Sequence, residues 1–181
     1  MRRKKSEHSI IRLGHRVCLL ALAMIALGGC IAEEEPTEEV VVVGSTLPDF
    51  EVTMNDGTLV TGAMLRTTPS VVMFFHTACP DCQQTLPRVQ RLYDDYVGQG
   101  VQFALISREE GEATVAAYWE ANGLTMPYSA QEDREVYEKF AYSRVPRIYI
   151  SNASGRVTHS FTDSPIPTDE MLEEGVLNAE F

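Results

Sequence analysis

The sequence predicts an α/β fold, with a central mixed β-sheet flanked by helices and a β-hairpin before it. Two apolar runs, Ser70 to Phe75 and Val101 to Ile106, are rich in β-branched and aromatic residues, which is typical of strands buried on both faces. Helical periodicity follows each run, so strands alternate with helices. Of the 181 residues, 44% are apolar and 23% are charged, which suits one globular domain.

The N-terminus predicts an export signal over residues 1–29. Basic residues lead into an apolar run, Val17 to Leu27, that ends just before Cys30. At about 1.5 Å per residue, this run is too short to cross a bilayer core of roughly 30 Å. It is typical of a signal peptide that is removed from the mature protein.

Cys30 is the predicted lipid anchor. Leu27-Gly28-Gly29-Cys30 resembles the lipobox of bacterial lipoproteins, in which the signal is removed before a cysteine that then carries acyl chains. Ordinary signal cleavage, with Cys30 left as a stray thiol, is the alternative. Several acyl chains anchor stably, because each buried CH₂ contributes about 0.8 kcal/mol. We therefore expect a protein of the bacterial cell envelope, lipid-anchored in the membrane.

Residues 30–43 are predicted to be an acidic tether, followed by a globular domain over 44–181. The tether has five glutamates and no helical periodicity. Acidic residues soon after a lipidated cysteine also resemble surface-export signals of some Gram-negative bacteria, so the periplasmic and the outer-membrane face both stay open. Beyond Cys30 the chain is strongly acidic and has no basic patch, which argues against nucleic-acid binding.

The other elements of the domain follow in order. Phe50 to Met54 and Thr58 to Thr61 flank Asn55-Asp56-Gly57, a hairpin turn signal. Pro80 begins a helix, since proline at the first helical position has no donor to lose. The remaining ranges are predicted as helices at Glu112 to Ala121, Asp133 to Phe140 and Thr168 to Asn178, and as strands at Arg147 to Ile150 and Val157 to Phe161.

The domain keeps two cysteines, Cys79 and Cys82, in the motif Cys-Pro-Asp-Cys. A structural disulfide would gain little from so short a loop. Structural zinc would need a second ligand pair at knuckle spacing, and His76 and His159 are far apart in sequence. A redox pair is therefore favoured over a structural disulfide or a metal site.

The predicted helix gives the two cysteines different environments. Its apolar stripe comprises Cys82, Leu86, Val89, Tyr93 and Tyr96, so Cys82 faces the sheet. Cys79 lies at the helix start, where unpaired N–H groups and the positive end of the macrodipole stabilise a thiolate. We expect Cys79 to be the attacking thiol and Cys82 the resolving one.

Two charged neighbours act on the pair in opposite directions. Asp81 is a negative charge beside the sulfurs and opposes a thiolate, whereas a protonated His76 would favour one unless it simply ends the strand facing solvent. A less stabilised thiolate makes a more reducing pair, which favours a reductase over an oxidase. The acidic residues that follow the next strand, Glu109, Glu110 and Glu112, could line the site, although a solvated loop is the favoured interpretation.

From Gly44 onward the chain resembles the thioredoxin-like superfamily, specifically its TlpA/ResA-like membrane-anchored thiol-disulfide oxidoreductases. A strand, the Cys-x-x-Cys motif, a helix with Pro87, and Val145-Pro146 some sixty residues later carry the resemblance. It implies a cis bond before Pro146, a loop facing the two sulfurs, and a Val145 backbone that pairs with an extended client segment. Thiol-disulfide exchange then needs disulfide-containing client proteins and a membrane thiol donor as redox partner, and it requires no bound cofactor or metal. We expect a monomer, although the sequence does not determine the oligomeric state.

The chain departs from this family at three positions. Ala78 stands where the family usually has Trp, and Arg147 stands where it favours Thr after the cis-proline. Thr85 replaces the Glu of many ResA-type reductases. The missing carboxylate removes a proton acceptor near the pair and puts a role in cytochrome c maturation in doubt. Arg147 predicts a different choice of substrate.

Two other classes remain open at this point. A peroxiredoxin-type peroxidase shares the fold, but its P-x-x-x-T-x-x-C motif would need proline and threonine where the chain has Val72 and His76. A copper-binding assembly protein would use the two cysteines with His76 or His159 as ligands. That family favours Cys-x-x-x-Cys.

Overall fold

A computed structural model of the protein describes residues 39–179, so the predicted signal peptide, Cys30 and most of the predicted tether lie outside the described residues. The elements are β1 (Glu51–Thr53), β2 (Leu59–Thr61), α1 (Gly62–Leu65), β3 (Ser70–Phe75), α2 (Pro80–Tyr96), β4 (Gln102–Ser107), α3 (Glu112–Asn122), β5 (Tyr128–Ser129), β6 (Arg147–Ser151), β7 (Val157–Phe161) and α4 (Asp169–Ala179). Short 3₁₀ helices lie at Val97–Gln99 and Tyr137–Lys139.

The main sheet is mixed and has five strands in the order β5-β4-β3-β6-β7. β3 pairs in parallel with β4 and antiparallel with β6, while β1 and β2 form a separate antiparallel hairpin. Every residue of β3 is buried, as its unbroken apolar run predicts for a central strand. The predicted fold class is confirmed.

The stretch predicted as a helix over Asp133 to Phe140 is not an α-helix. Only the 3₁₀ turn Tyr137–Lys139 forms there, because its aromatic side chains are taken up by tertiary contacts. The ring of Phe140 packs against Phe50, Phe74 and Tyr149. Two further short elements, α1 and the two-residue strand β5, were not predicted.

Helix α2 lies against the sheet along an apolar stripe. Its buried residues are Cys82, Thr85, Leu86, Val89, Leu92 and Tyr96. Tyr93, predicted in this stripe, is only partly buried and packs edge-on against Phe103. Within the described residues, no helix has both the length and the apolar character needed to span a bilayer.

The last residues of the predicted tether, 39–43, pack against the domain; we call this segment the N-terminal arm. Glu39 forms an antiparallel bridge with Ala141, and Val41 is buried. The backbone N–H groups of Val40 and Val41 both donate to the carbonyl of Phe140, at 3.0 and 2.9 Å. The globular unit therefore begins before the predicted boundary at Gly44.

Candidate active site

One edge of the sheet gathers three segments that are far apart in sequence. β3 and β4 are parallel, so their carboxyl ends meet there, followed by the Cys-x-x-Cys segment and by the loop 108–111. β6 is antiparallel to β3, and Arg147 is in register with Phe74, so the residues just before β6 come to the same edge. We call residues 141–146 the cis-proline loop.

Cys79 caps the N-terminus of α2. Its backbone is extended, with φ −81° and ψ 119°, and Pro80 and Asp81 follow in the first turn. Cys79 is partly exposed, and both cysteines are free thiols. A partly exposed thiol at a helix N-terminus is the arrangement in which a cysteine reacts with external disulfides.

Cys82 lies one turn further along α2 and is fully buried. Burial raises the pKa of the Cys82 thiol far above its usual range, and the neighbouring Cys79 raises it further, although a backbone hydrogen bond at His76 and the charge of Arg108 oppose the shift. Cys82 is therefore held as a neutral thiol, out of reach of solvent, in contact with Cys79.

The cis-proline loop lies directly over Cys79. The Val145–Pro146 peptide bond is cis. The Cys79 thiol donates a hydrogen bond to the Val145 carbonyl oxygen, with Sγ and O 3.3 Å apart. Val145 and Pro146, singled out from the sequence, are thus brought together with the cysteines.

Glu110 is buried beneath the Cys-x-x-Cys segment, which corrects its interpretation as part of a solvated loop. Its side chain is 6% exposed. The carboxylate accepts the Thr77 backbone N–H at 2.7 Å and also the Thr77 hydroxyl. Its neighbours do face outward, since Glu109 pairs with Arg134, and Glu112 accepts the Tyr128 hydroxyl.

His76 lies between the Cys-x-x-Cys segment and Glu110, and its side chain is partly exposed. Its Nδ1 accepts the backbone N–H of Ala78 at 3.1 Å, and the same Nδ1 lies 3.5 Å from Glu110 Oε1. The first contact requires an unprotonated Nδ1, while the second becomes an ion pair only when Nδ1 carries a proton. The two contacts therefore compete for the same ring nitrogen.

Two side chains of α2 donate hydrogen bonds to backbone carbonyl groups in and beside the Cys-x-x-Cys turn. The Gln83 side chain donates to the Thr77 carbonyl at 2.8 Å. Thr85, where a Glu was expected by resemblance, is buried, and its hydroxyl donates to the Asp81 carbonyl at 2.7 Å. Apart from Asp81 within the motif, the carboxylate that hydrogen-bonds to this segment therefore comes from the loop after β4 and not from α2.

Arg147, which the sequence linked to the choice of substrate, does not lie at the surface. Its side chain is fully buried and pairs with Glu39 of the N-terminal arm. Among residues 39–179, no three His, Cys, Asp or Glu side chains are grouped to hold a metal ion. His159, a candidate copper ligand by sequence, lies on β7, where its ring stacks on Phe161.

Comparison with known proteins agrees with this geometry. The family model of the AhpC/TSA family matches residues 43–160. The thiol-disulfide oxidoreductase ResA of Geobacillus thermodenitrificans is 28% identical over 159 residues, covering 87% of this chain and 91% of the relative. ResA of Bacillus subtilis is 25% identical, covering 94% and 93%.

A solved structure shows the same fold. The thiol:disulfide interchange protein of Chlorobium tepidum superposes with a TM-score of 0.66 at 21% identity, over 77% of this chain and 98% of that one. The family match covers well over half of this chain, and the relatives span almost its whole length. The chain therefore belongs to the AhpC/TSA family, as a TlpA/ResA-like oxidoreductase with the thioredoxin fold.

Proposed function

We propose that the protein is a membrane-anchored thiol-disulfide oxidoreductase that reduces disulfides of exported proteins through Cys79 and Cys82. One observation carries the proposal. The accessible Cys79 thiol contacts the Val145 carbonyl of the cis-proline loop, with Cys82 buried directly behind it. An accessible attacking thiol backed by a shielded resolving thiol is the arrangement that thiol-disulfide exchange requires.

The exchange takes two steps. The Cys79 thiolate attacks one sulfur of the client disulfide, and the other client sulfur leaves as a thiolate and takes up a proton. Cys82 then gives up its proton and attacks Cys79, which breaks the mixed disulfide and releases the second client sulfur. Two electrons pass to the client, and the protein is left with a Cys79–Cys82 disulfide.

The second step needs a group that accepts the Cys82 proton, because burial holds that thiol neutral. Glu110 is our candidate. Its carboxylate is buried under the Cys-x-x-Cys segment and hydrogen-bonded to Thr77, two residues before Cys79. It comes from the loop after β4, whereas the residue that many ResA-type reductases use lies on α2 at the position of Thr85.

The direction of electron flow follows from the charges near the pair. Asp81 in the first turn of α2 is acidic and disfavours a thiolate, whereas the charge of Arg108 acts on Cys82 in the opposite direction. Because an oxidant is a protein whose reduced form is stabilised, this environment favours a reductant. A membrane thiol donor must then return electrons to the Cys79–Cys82 disulfide.

The anchor is assigned to an acylated Cys30. A Cys30→Ala variant should leave the membrane fraction and lose incorporation of a labelled fatty acid, while a Cys18→Ala variant should keep both. Equal labelling of wild type and Cys30→Ala would contradict the lipid anchor and leave the redox proposal intact.

The deciding experiment is the reduction potential of the full chain, equilibrated in glutathione and dithiothreitol buffers while the free thiols of Cys79 and Cys82 are counted. We expect a value near or below that of thioredoxin, about −270 mV. A value near about −120 mV, that of DsbA, would make the protein an oxidant. Failure to form the Cys79–Cys82 disulfide would overturn the redox proposal.

A thiol peroxidase is the second candidate, because peroxidases share the fold of the AhpC/TSA family, whose model matches this chain. At the positions where that motif has proline and threonine, this chain has Val72, buried in β3, and His76. We expect no turnover of hydrogen peroxide with a thiol donor under conditions in which a protein disulfide is reduced. Peroxide turnover that depends on Cys79 would favour the peroxidase.

A further inference from the structure

The guanidinium of Arg147 ties the N-terminal arm to the cis-proline loop. Its Nη1 donates to Glu39 Oε1 at 2.9 Å, and its Nε donates to the Ser143 carbonyl at 2.9 Å. The Arg147 side chain is 1% exposed, and that of Glu39 is 38% exposed. Residue 39 and the loop beside Cys79 are therefore joined by a single buried cation.

The loop held in this way is strained. Arg144, immediately before Val145, has φ +68°, a left-handed backbone conformation that residues other than glycine seldom adopt. Such a conformation persists only where surrounding contacts hold it. Here the Tyr137 hydroxyl donates to the Arg144 carbonyl at 2.5 Å, and Arg134 donates to the Tyr142 carbonyl.

The positive charge of the buried Arg147 is stabilised by the side chains around it. Burial alone would lower the pKa of Arg147, but Tyr149, Tyr137 and Glu39 outweigh it, and the pKa is raised. Of these three side chains, Glu39 is the one with a carboxylate. Without Glu39, the guanidinium of Arg147 would keep its charge and would hydrogen-bond to other acceptors, such as the nearby carbonyl groups of the cis-proline loop.

We propose that Glu39 is a positioning residue, which holds the cis-proline loop, through Arg147, in the conformation that receives a client peptide. The inference rests on the proposed thiol-disulfide exchange and adds the N-terminal arm to the active site. Glu39 touches neither client nor cysteine. Its effect is on the fraction of time that the loop spends in the receptive conformation, and client affinity falls in proportion to that fraction.

The test compares Glu39→Gln with Glu51→Gln in the full chain. Both changes remove one carboxylate charge, but Glu51 is exposed on β1. The substrates are an extended peptide with a disulfide and a small aromatic disulfide that needs no loop contact. We expect Glu39→Gln to raise KM for the peptide about tenfold with kcat unchanged. Reduction of the small disulfide should change much less than reduction of the peptide, and Glu39→Asp should restore part of the affinity.

A second readout separates this inference from the proposed function. Amide hydrogen exchange over residues 141–147 should be faster in Glu39→Gln than in wild type or Glu51→Gln. Unchanged exchange and unchanged peptide KM in Glu39→Gln would overturn the positioning role while wild-type activity stands. If the wild type reduces neither substrate, the proposed function fails, and the exchange data alone decide whether Glu39 holds the loop.

Discussion

The carboxylate of Glu110 accepts both the backbone N–H and the hydroxyl of Thr77, so one buried side chain takes up two donors of the Cys-x-x-Cys segment. Thr77 is itself buried, and neither donor has water as a substitute partner. The turn that presents Cys79 therefore depends on a residue from the next βα loop, 31 positions along the chain.

Replacing Glu110 with Ala should destabilise the fold by about 1–3 kcal/mol, because the buried Thr77 N–H loses its acceptor. Glu110→Gln keeps one acceptor oxygen and should cost less. Urea unfolding of the reduced protein measures both, with Glu109→Ala as the exposed neighbour control, for which at most about 1 kcal/mol is expected. Equal losses for Glu109→Ala and Glu110→Ala would refute the structural role.

The raised pKa of Cys82 makes the reduced protein less stable in alkali. In the unfolded chain the thiol ionises near pH 9.0, the ordinary value, while the folded protein keeps it protonated. The folded state then binds more protons than the unfolded state. Its free energy of unfolding is unaffected below pH 9.0 and falls above it by up to about 1.4 kcal/mol per pH unit.

Unfolding of reduced wild type and reduced Cys82→Ala between pH 7 and pH 11 isolates this contribution. The buried tyrosines Tyr128 and Tyr149, whose pKa values burial raises to about 12, act equally in both proteins and cancel in the difference. The difference in stability should be constant at low pH and change only above pH 9.0. A flat difference up to pH 11 would show that Cys82 ionises normally.

Removing the resolving thiol should trap the client. Cys82→Ala keeps Cys79 at the helix start with its contact to Val145, so the first exchange step proceeds and the mixed disulfide accumulates. Cys79→Ala should trap nothing, because its remaining thiol is buried. Non-reducing gels of envelope fractions measure the adducts, and adducts on Cys79→Ala would reverse the assigned roles.

Asp81→Asn should raise the reduction potential by about 10–30 mV, equivalent to at most about 1.4 kcal/mol, because a negative charge that opposes the thiolate is lost. The same change should also cost about 0.3–1 kcal/mol of stability in both redox states, since Asp81 lies at the positive end of α2. Equilibration with glutathione measures the potential. An unchanged or lower potential would remove the electrostatic argument for a reductase.

A chain that begins at Gly44, the predicted domain boundary, should be less stable than one that includes residues 39–43. It lacks the buried side chain of Val41 and the partner of Arg147, and a loss of about 3 kcal/mol or more is expected. Urea unfolding of the two chains measures the loss. Equal midpoints would mean that the N-terminal arm adds nothing to the fold.

Much of the site was predictable because its signals are local. The apolar run of β3, the proline after Cys79 and the inward position of Cys82 depend on periodicity and on the helix start alone. The strand and helix bounds that were predicted differ from the observed ones by at most one residue, except at the 3₁₀ turn around Tyr137. There, a hydroxyl contact to the loop and the packing of Phe140 override the helical pattern.

The burial of Glu110 and Arg147 was not predicted, because tertiary pairing decides it. A run of acidic residues after a strand is usually solvated, and only the parallel pairing of β3 with β4 brings residue 110 under Thr77. Arg147 follows the cis-proline, but its partner, Glu39, is 108 positions away. The one available signal was topological, namely that carboxyl ends of neighbouring parallel strands share an edge.

The complete burial of Cys82 decides which thiol can attack Cys79 from the inner side of the active site. Once Cys79 is joined to a client sulfur, small thiols in the surroundings cannot take the place of Cys82, because that side is filled by β3 and α2. Resolution by Cys82 is therefore a unimolecular step, and its rate does not depend on how much free thiol the compartment holds. External thiols can still attack the client sulfur, so the lifetime of the mixed disulfide is set by the competition between the two routes.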